Sequence, residues 1–439
     1  MGYTAERIRM YRSISEKLLQ WKEGKSRKPL IIYGARQTGK TWIMREFGRK
    51  CFEKTAYISF YRNERAKRIF DGDFDISRLI PAMSIEADTV ITPEDTLIVL
   101  DEIQDAPRAV EALKYFCEDA PQYAVVAAGS LLGVALHKGI SFPVGKVSIA
   151  NLYPMSYREY LKAIGEERLC DLLDTKDYEL IDTFRDKYLL QLKNYLYVGG
   201  MPAVVDYYRE NPMDYRGVRD IQNEIVKQYR SDFGKHTEEK QLPRINMVWD
   251  AIPVQLAKEN KKFFFGKMKK GARSADFEVA IQWLIDSGLI IKVNKVSKPA
   301  NPLKAYTDLN AYKLFMVDVG LLGALSGLEK EVLLEDLGVF EEFKGALIEQ
   351  YVLQQIISDT EYEPYYYSSD TSTYEVDFLI QKHGNITPIE VKAAENVQAK
   401  SFKVFCGKYE PKYAVRLSTL PYKEQEWMTN IPLYAVAEI

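Results

Sequence analysis

This chain is short of the residues on which several common chemistries are built. Its 439 residues hold only three histidines, His137, His236 and His383. That is too few, too widely spread, for a multi-histidine metal centre or a catalytic triad built on histidine. Four cysteines, Cys51, Cys117, Cys170 and Cys406, lack paired spacing and read as reduced thiols of a cytoplasmic protein. Net charge is only −2, so no global field recruits nucleic acid and any such contact needs a local basic patch. The longest apolar stretch, around Val125 to Leu136, is broken by glycines and a serine and is too short to span a bilayer. The opening Met1-Gly2-Tyr3-Thr4-Ala5-Glu6-Arg7 is polar and amphipathic, unlike a secretory signal. What remains is the composition of a soluble globular protein, 46% hydrophobic and 28% charged, long enough for two to four domains.

Against that background one segment stands out. Leu30-Ile31-Ile32-Tyr33 is an apolar strand running into Gly34-Ala35-Arg36-Gln37-Thr38-Gly39-Lys40-Thr41, followed by a helical pattern from Trp42. The pattern G-x-x-x-x-G-K-T between strand and helix is a P-loop. Its glycines let backbone N–H groups turn inward onto phosphates, and the helix N-terminus adds a positive dipole end. Lys40 is expected to reach the β- and γ-phosphates of ATP, and the Thr41 hydroxyl to hold Mg²⁺.

The partner motif is Thr96-Leu97-Ile98-Val99-Leu100-Asp101-Glu102. Its apolar run reads as a strand buried on both faces of a parallel sheet, ending in two carboxylates at the edge where α/β sheets bind ligands. Asp101 is expected in the Mg²⁺ shell and Glu102 as the group that polarises the attacking water. A third run, Ala124–Ala128, ends in Gly129-Ser130; Ser130 touches the γ-phosphate or caps the next helix, Leu131 to Leu136, or does both.

Four segments follow from the patterning. Residues 1–164 alternate strands and helices as a P-loop core; 165–235 are helical and lid-like. Residues 236–310 give two helices and a β-ribbon, a winged-helix plan with Val248, Trp249, Ile252, Leu256, Phe277, Ile281, Leu284 and Ile285 as helix cores. Residues 311–439 read helix, three strands, helix, strand. The stretch Lys261 to Lys270 is basic and aromatic, either a DNA or RNA contact or a solvated loop. In the last segment strand alternation puts Glu390 and Lys392 on one face; either this is an exposed Glu–Lys pair, or Asp377 is expected to join Glu390 around a divalent cation, with Glu349 completing the cluster and Lys392 orienting water or stabilising developing negative charge. The fold expected is therefore α/β: a P-loop NTPase core, helical and winged-helix segments, and a C-terminal α/β domain.

These residues resemble the prokaryotic AAA-type ATPases that join an N-terminal P-loop domain to an uncharacterised, restriction-endonuclease-like (PD-(D/E)xK) C-terminal domain. The resemblance covers most of the chain. It rests on Gly34–Thr41, Leu100-Asp101-Glu102-Ile103-Gln104, Gly129-Ser130 and Leu152 to Tyr160. It continues through Gly199-Gly200-Met201-Pro202 and Asp318-Val319-Gly320-Leu321 to Glu375-Val376-Asp377 and Glu390-Val391-Lys392. It implies ATP and Mg²⁺ as cofactors and a nuclease-like C-terminal fold, with no settled biological role. Many AAA-type proteins form rings, so an oligomer stays open. One departure stands at Gly145-Lys146, where the family often carries Gly-Arg: lysine keeps the charge but loses the planar fork, leaving Lys146 or Arg158 to read the γ-phosphate. The leading expectation is an ATP-hydrolysing switch acting on a nucleic-acid or protein partner. Its alternatives are a non-hydrolysing, nucleotide-gated binding module and an ATP-dependent nuclease.

Overall fold

Continuous apolar runs become the centre of a sheet. Every residue of β3 (Thr96–Asp101) and β4 (Ala124–Ala128) is buried, whereas β2 (Lys54–Ser59) and β5 (Ser148–Asn151) bury residues only in alternation or in part. The strand order, β2-β3-β4-β1-β5 with β1 at Leu30–Tyr33, explains the difference: β2 and β5 are edges. All pairings are parallel. Alternation within β1 splits its side chains between two cores. Ile31 packs with α3 (Ile76–Glu86) and α4 (Pro107–Glu118), while Leu30 and Ile32 pack with α1 (Ile14–Glu23) and α2 (Lys40–Cys51). Each fully buried Leu or Ile contributes about 1.5–3 kcal/mol, so neither layer of helices is dispensable.

The computed structural model describes residues 10–130, 133–134, 142–258, 262–267, 273–334, 341–369, 374–393 and 400–439. The chain forms two compact units. One comprises Arg12–Tyr153 with the short segment Asp286–Leu289; the other comprises Pro154–Ile285 and Ile290–Ile439. Among the described residues no helix is long and apolar enough to cross a membrane.

The second unit is helical at first, including α5 (Tyr157–Ala163), α6 (Leu242–Leu256) and α7 (Glu278–Asp286). It then builds an eight-stranded mixed sheet, β12-β13-β11-β10-β9-β8-β6-β7. The strands are β6 (Ile290–Val296), β7 (Thr307–Met316), β8 (Tyr365–Ser368), β9 (Glu375–Lys382), β10 (Asn385–Val391), β11 (Val415–Ser418), β12 (Lys423–Glu424) and β13 (Thr429–Pro432). Helices α8 (Val319–Leu325), α9 (Glu341–Asp359) and α10 (Lys400–Tyr409) accompany it. The expected order of helix, three strands, helix and strand is present as α9, β8, β9, β10, α10 and β11. The sequence pattern starts these two helices at Phe340 and Val397, which lie outside the described residues.

The two helices and ribbon expected over 236–310 also form, but not as a separate winged-helix body. β7 runs through the boundary set at residue 310, and β6 pairs in parallel with β8, so the ribbon is the edge of the large sheet. The cause lies in β7 itself: Ala311 to Met316 are all buried, and a ribbon standing alone cannot cover six such positions. The sequence pattern starts the second helix at Ser274, but that residue opens a 3₁₀ turn and α7 starts at Glu278.

Three strings singled out in the sequence meet at one junction in this unit. The Asp318 carboxylate caps α8 by accepting from the Leu321 N–H (3.0 Å) and also accepts from the Gly200 N–H (2.6 Å). Met155 N–H donates to the Gly200 carbonyl, and a Cβ at Gly200 would lie 2.1 Å from the Met155 oxygen. Helix α9 locks the region with glutamines. Gln350 exchanges two bonds with the Met316 backbone, Gln354 accepts from Val319 N–H, and Gln355 accepts from Tyr157 N–H.

Candidate active site

The parallel register brings the first site to one sheet edge. Ile32 pairs with Ala128 and Ala128 with Asp101, so the chain leaves β1, β3 and β4 side by side. From β1 it enters the glycine turn. A Cβ on Gly34 would fall 2.2 Å from the Leu152 carbonyl oxygen, so only glycine fits there. Gln37 (φ 65°) and Gly39 (φ 93°) take left-handed conformations that fold the loop over the start of α2. Thr38 is fully buried and its hydroxyl donates to the Ala35 carbonyl at 2.9 Å. Arg36 is half-buried and Gln37 exposed at the loop apex.

Lys40 is 6% exposed and donates from Nζ to the Gly34 and Ala35 carbonyl oxygens at 2.8 and 2.7 Å. Burial pushes its pKa down to about 8, against the pull of Glu102 and Asp101 and with help from Arg36. Next to it, the Thr41 hydroxyl donates to Asp101 Oδ2 at 2.7 Å. Glu102 follows in a left-handed conformation (φ 54°), and its Oε2 accepts from Gln104 Nε2 at 2.6 Å. Ser130, 6% exposed, lies two residues beyond Ala128 at the same edge. The helix it was expected to cap, Leu131 to Leu136, falls mostly outside the described residues.

Two residues that no motif announced belong to this site. Tyr57 of β2 donates to the same Asp101 Oδ2 at 2.7 Å, with the Arg45 guanidinium 3.9 Å over its ring. Arg12, 3% exposed, donates to the Thr38 carbonyl at 2.7 Å and so ties down the loop from behind. The only signal for Tyr57 was its place on the strand beside Asp101; Arg12 had none. Lys146, by contrast, is remote. It pairs with Glu118 at 2.8 Å, at the end of α4 away from the carboxylates and ahead of β5, so it sits at the opposite sheet edge and does not reach this P-loop. Arg158, in the second unit, is held by Asp174 and by Glu438.

The second expected cluster, in the other unit, is organised around lysines. Glu349 (α9), with Glu375 and Asp377 (β9), gathers around Lys313 of β7, a residue outside the expected set, while Glu390 (β10) is held by Lys392. Lys313 is fully buried, 2.5 Å from Glu375 Oε1 and 3.8 Å from Glu349 Oε2. Burial works against its charge, yet Glu375, Glu349 and Asp377 outweigh it and raise the pKa. Lys392 pairs with Glu390 Oε1 at 2.6 Å, and Asp377 Oδ2 accepts from the Val391 N–H at 2.8 Å. Burial raises the Glu390 pKa, opposed by Lys392. Among the described residues no three His, Cys, Asp or Glu side chains are disposed to hold a metal. Where the sequence led to a cation held by Asp377, Glu390 and Glu349, ammonium groups stand against the carboxylates: Lys313, from the edge strand β7, at Glu349 and Glu375, and Lys392 at Glu390.

Two aromatic residues of the basic stretch are turned inward, while Phe264 between them is exposed. Phe263 is 5% exposed and stacks on Tyr312 (6.4 Å), and Phe265 packs against Phe277 (5.8 Å). Lys261, Lys269 and Lys270 lie outside the described residues.

The parallel sheet, glycine turn and acidic strand end define a P-loop α/β fold, followed by helices and a mixed sheet. Residues 26–161 match the family model described as AAA domain, so the first unit carries an AAA-type P-loop domain. Residues 189–332 and 344–436 match two models described as domains of unknown function, DUF8612 and DUF4143. Among curated proteins none matches the chain. Among solved structures it is similar to a Walker-type ATPase of Pyrococcus abyssi, at 13% identity over 72% of this chain and 96% of that one, TM-score 0.47. It is also similar to the ORC1 protein of Aeropyrum pernix in complex with DNA, at 15% identity over 76% and 97%, TM-score 0.28.

Proposed function

We propose that the chain binds ATP with Mg²⁺ at the P-loop, hydrolyses it, and uses the cycle as a switch. The observation that carries this is the hydrogen bond between Thr41 and Asp101, set beside the buried Lys40. A hydroxyl and a carboxylate 2.7 Å apart are hard oxygen donors suited to Mg²⁺, and they sit at a helix N-terminus lined by loop amides. Bound Mg²⁺ supplies charge neutralisation on the phosphate oxygens. The residues do the rest. Lys40 exchanges its carbonyl partners for phosphate oxygens, the loop amides orient the triphosphate, Glu102 aligns and polarises water, and Ser130 presents a hydroxyl at the same edge.

Two substitutions separate binding from turnover. Lys40→Ala is expected to weaken ATP binding by at least about tenfold, since hydrogen bonds to a charged group are worth about 1.5–3 kcal/mol. Glu102→Gln is expected to keep binding while lowering turnover by roughly 10²–10⁴-fold. Equilibrium binding of a fluorescent ATP analogue and phosphate release measure the two. Tight binding with no wild-type turnover would favour the nucleotide-gated binding module instead. The partner is sought by pull-down with the Glu102→Gln form in the presence and absence of ATP.

A further inference from the structure

A cavity of 570 Å³ opens on the second unit, beside the starts of β10, β11 and β13. Its floor is one face of the sheet. Ile389 pairs with Val415 and Val415 with Thr429, so strand alternation puts Thr387, Val415 and Thr429 on a common face. All three line the cavity. Thr387 is 2% exposed, and its hydroxyl makes no hydrogen bond among the described residues. A buried polar group without a partner is costly, so this hydroxyl marks a point in the floor that a ligand's polar edge can satisfy.

The walls are aromatic and cationic. Tyr413 is 50% exposed, and Trp427 is half-buried against Phe402. Tyr178 and Tyr422 stand as a parallel pair, centroids 3.9 Å apart and planes 7° off. Of the lysines, two are committed: Lys176 pairs with Glu438 at 2.8 Å, and Lys382 donates to the Ile439 carbonyl oxygen at 2.8 Å. Lys412 is exposed on the rim, its ammonium 5.1 Å from the Tyr413 ring, and His383 is exposed beside it. A flat ring surface next to an exposed cation, above a polar floor, suits a planar heterocycle carrying a phosphate. Rings stack on aromatic faces whatever their identity, while the ammonium takes the anion.

We propose that this cavity binds a nucleotide unit, its base stacked on Tyr413 or Trp427 and meeting Thr387, its phosphate at Lys412. The source is a free nucleotide or one residue of a single strand. The site is independent of the P-loop.

The test is calorimetric titration of the full chain, wild type and Lys40→Ala, with AMP and separately with an eight-residue oligothymidylate. Saturable binding is expected in both proteins. Tyr413→Ala and Lys412→Glu should each weaken it about tenfold, the scale of one stacked base or one phosphate contact; Thr387→Val should weaken it less. Unchanged thermal melting shows that the variants fold. Tighter binding of the oligothymidylate assigns a strand; equal or tighter binding of AMP assigns a free nucleotide. The proposal is overturned if neither probe saturates at millimolar concentration, if Tyr413→Ala and Lys412→Glu both leave affinity unchanged, or if Lys40→Ala abolishes it.

Discussion

Tyr57 shows how much a single side chain can add to a motif. Its hydroxyl and that of Thr41 converge on one oxygen of Asp101, so the carboxylate is aimed from two sides. Tyr57→Phe should leave nucleotide affinity near wild type but raise the Mg²⁺ concentration for half-maximal turnover, by roughly threefold to tenfold for one lost hydrogen bond. An equal change in affinity and turnover would instead point to general disruption. Lys40 makes a pH prediction. It must be an ammonium to hold phosphate, and burial brings its pKa down to about 8. ATP affinity should therefore be level below that pH and fall as pH rises through it, by up to about tenfold per pH unit. Binding titrations between pH 6.5 and 9.5 check this. Lys313 is the third case. Removing it leaves Glu375 and Glu349 facing each other without a counter-charge, so Lys313→Ala should cost about 3–5 kcal/mol of stability, read as a lower denaturant midpoint. A lysine inside the run Tyr312-Lys313-Leu314-Phe315 was the available signal, since lysine is almost never fully buried unless paired.

Elements were legible where sequence and neighbourhood coincide. The strands Leu30–Tyr33, Thr96–Asp101 and Ala124–Ala128 are continuous apolar runs with helices between them, and a parallel sheet buried on both faces demands that pattern. Their acidic and glycine-rich ends then had to share an edge. The ribbon β6–β7 was legible as a ribbon but not as part of a larger sheet, because its partner β8 lies about fifty residues further on and no local pattern names it. Arg12 was invisible for the same reason: its target, Thr38, is 26 residues away. At the end of α9, Asp359 has its pKa pushed up to about 7, first by burial and then by Glu159 and Glu438, with Ser156 and Arg158 opposing. A carboxyl raised from 3.8 favours folding below about pH 4, and that contribution is lost as pH rises to about 7. Asp359→Asn should therefore stabilise the protein at pH 8, on the order of 1–3 kcal/mol, and flatten the change in melting temperature between pH 4 and 7.

At the scale of the whole molecule, each of the two compact units has its own sheet, and only the first carries the P-loop. A ligand that binds one folded unit stabilises that unit by mass action, about 2.7 kcal/mol at a hundredfold excess over its dissociation constant. ATP and Mg²⁺ should thus raise the unfolding transition belonging to Arg12–Tyr153 and do so only when Lys40 is present. The account stands most directly on phosphate release from the wild type, Glu102→Gln and Lys40→Ala, measured beside their ATP affinities. It predicts steady turnover in the wild type, retained affinity with turnover lowered roughly 10²–10⁴-fold in Glu102→Gln, and affinity weakened at least about tenfold in Lys40→Ala. Wild-type turnover by Glu102→Gln, or unaltered ATP binding by Lys40→Ala, would contradict it.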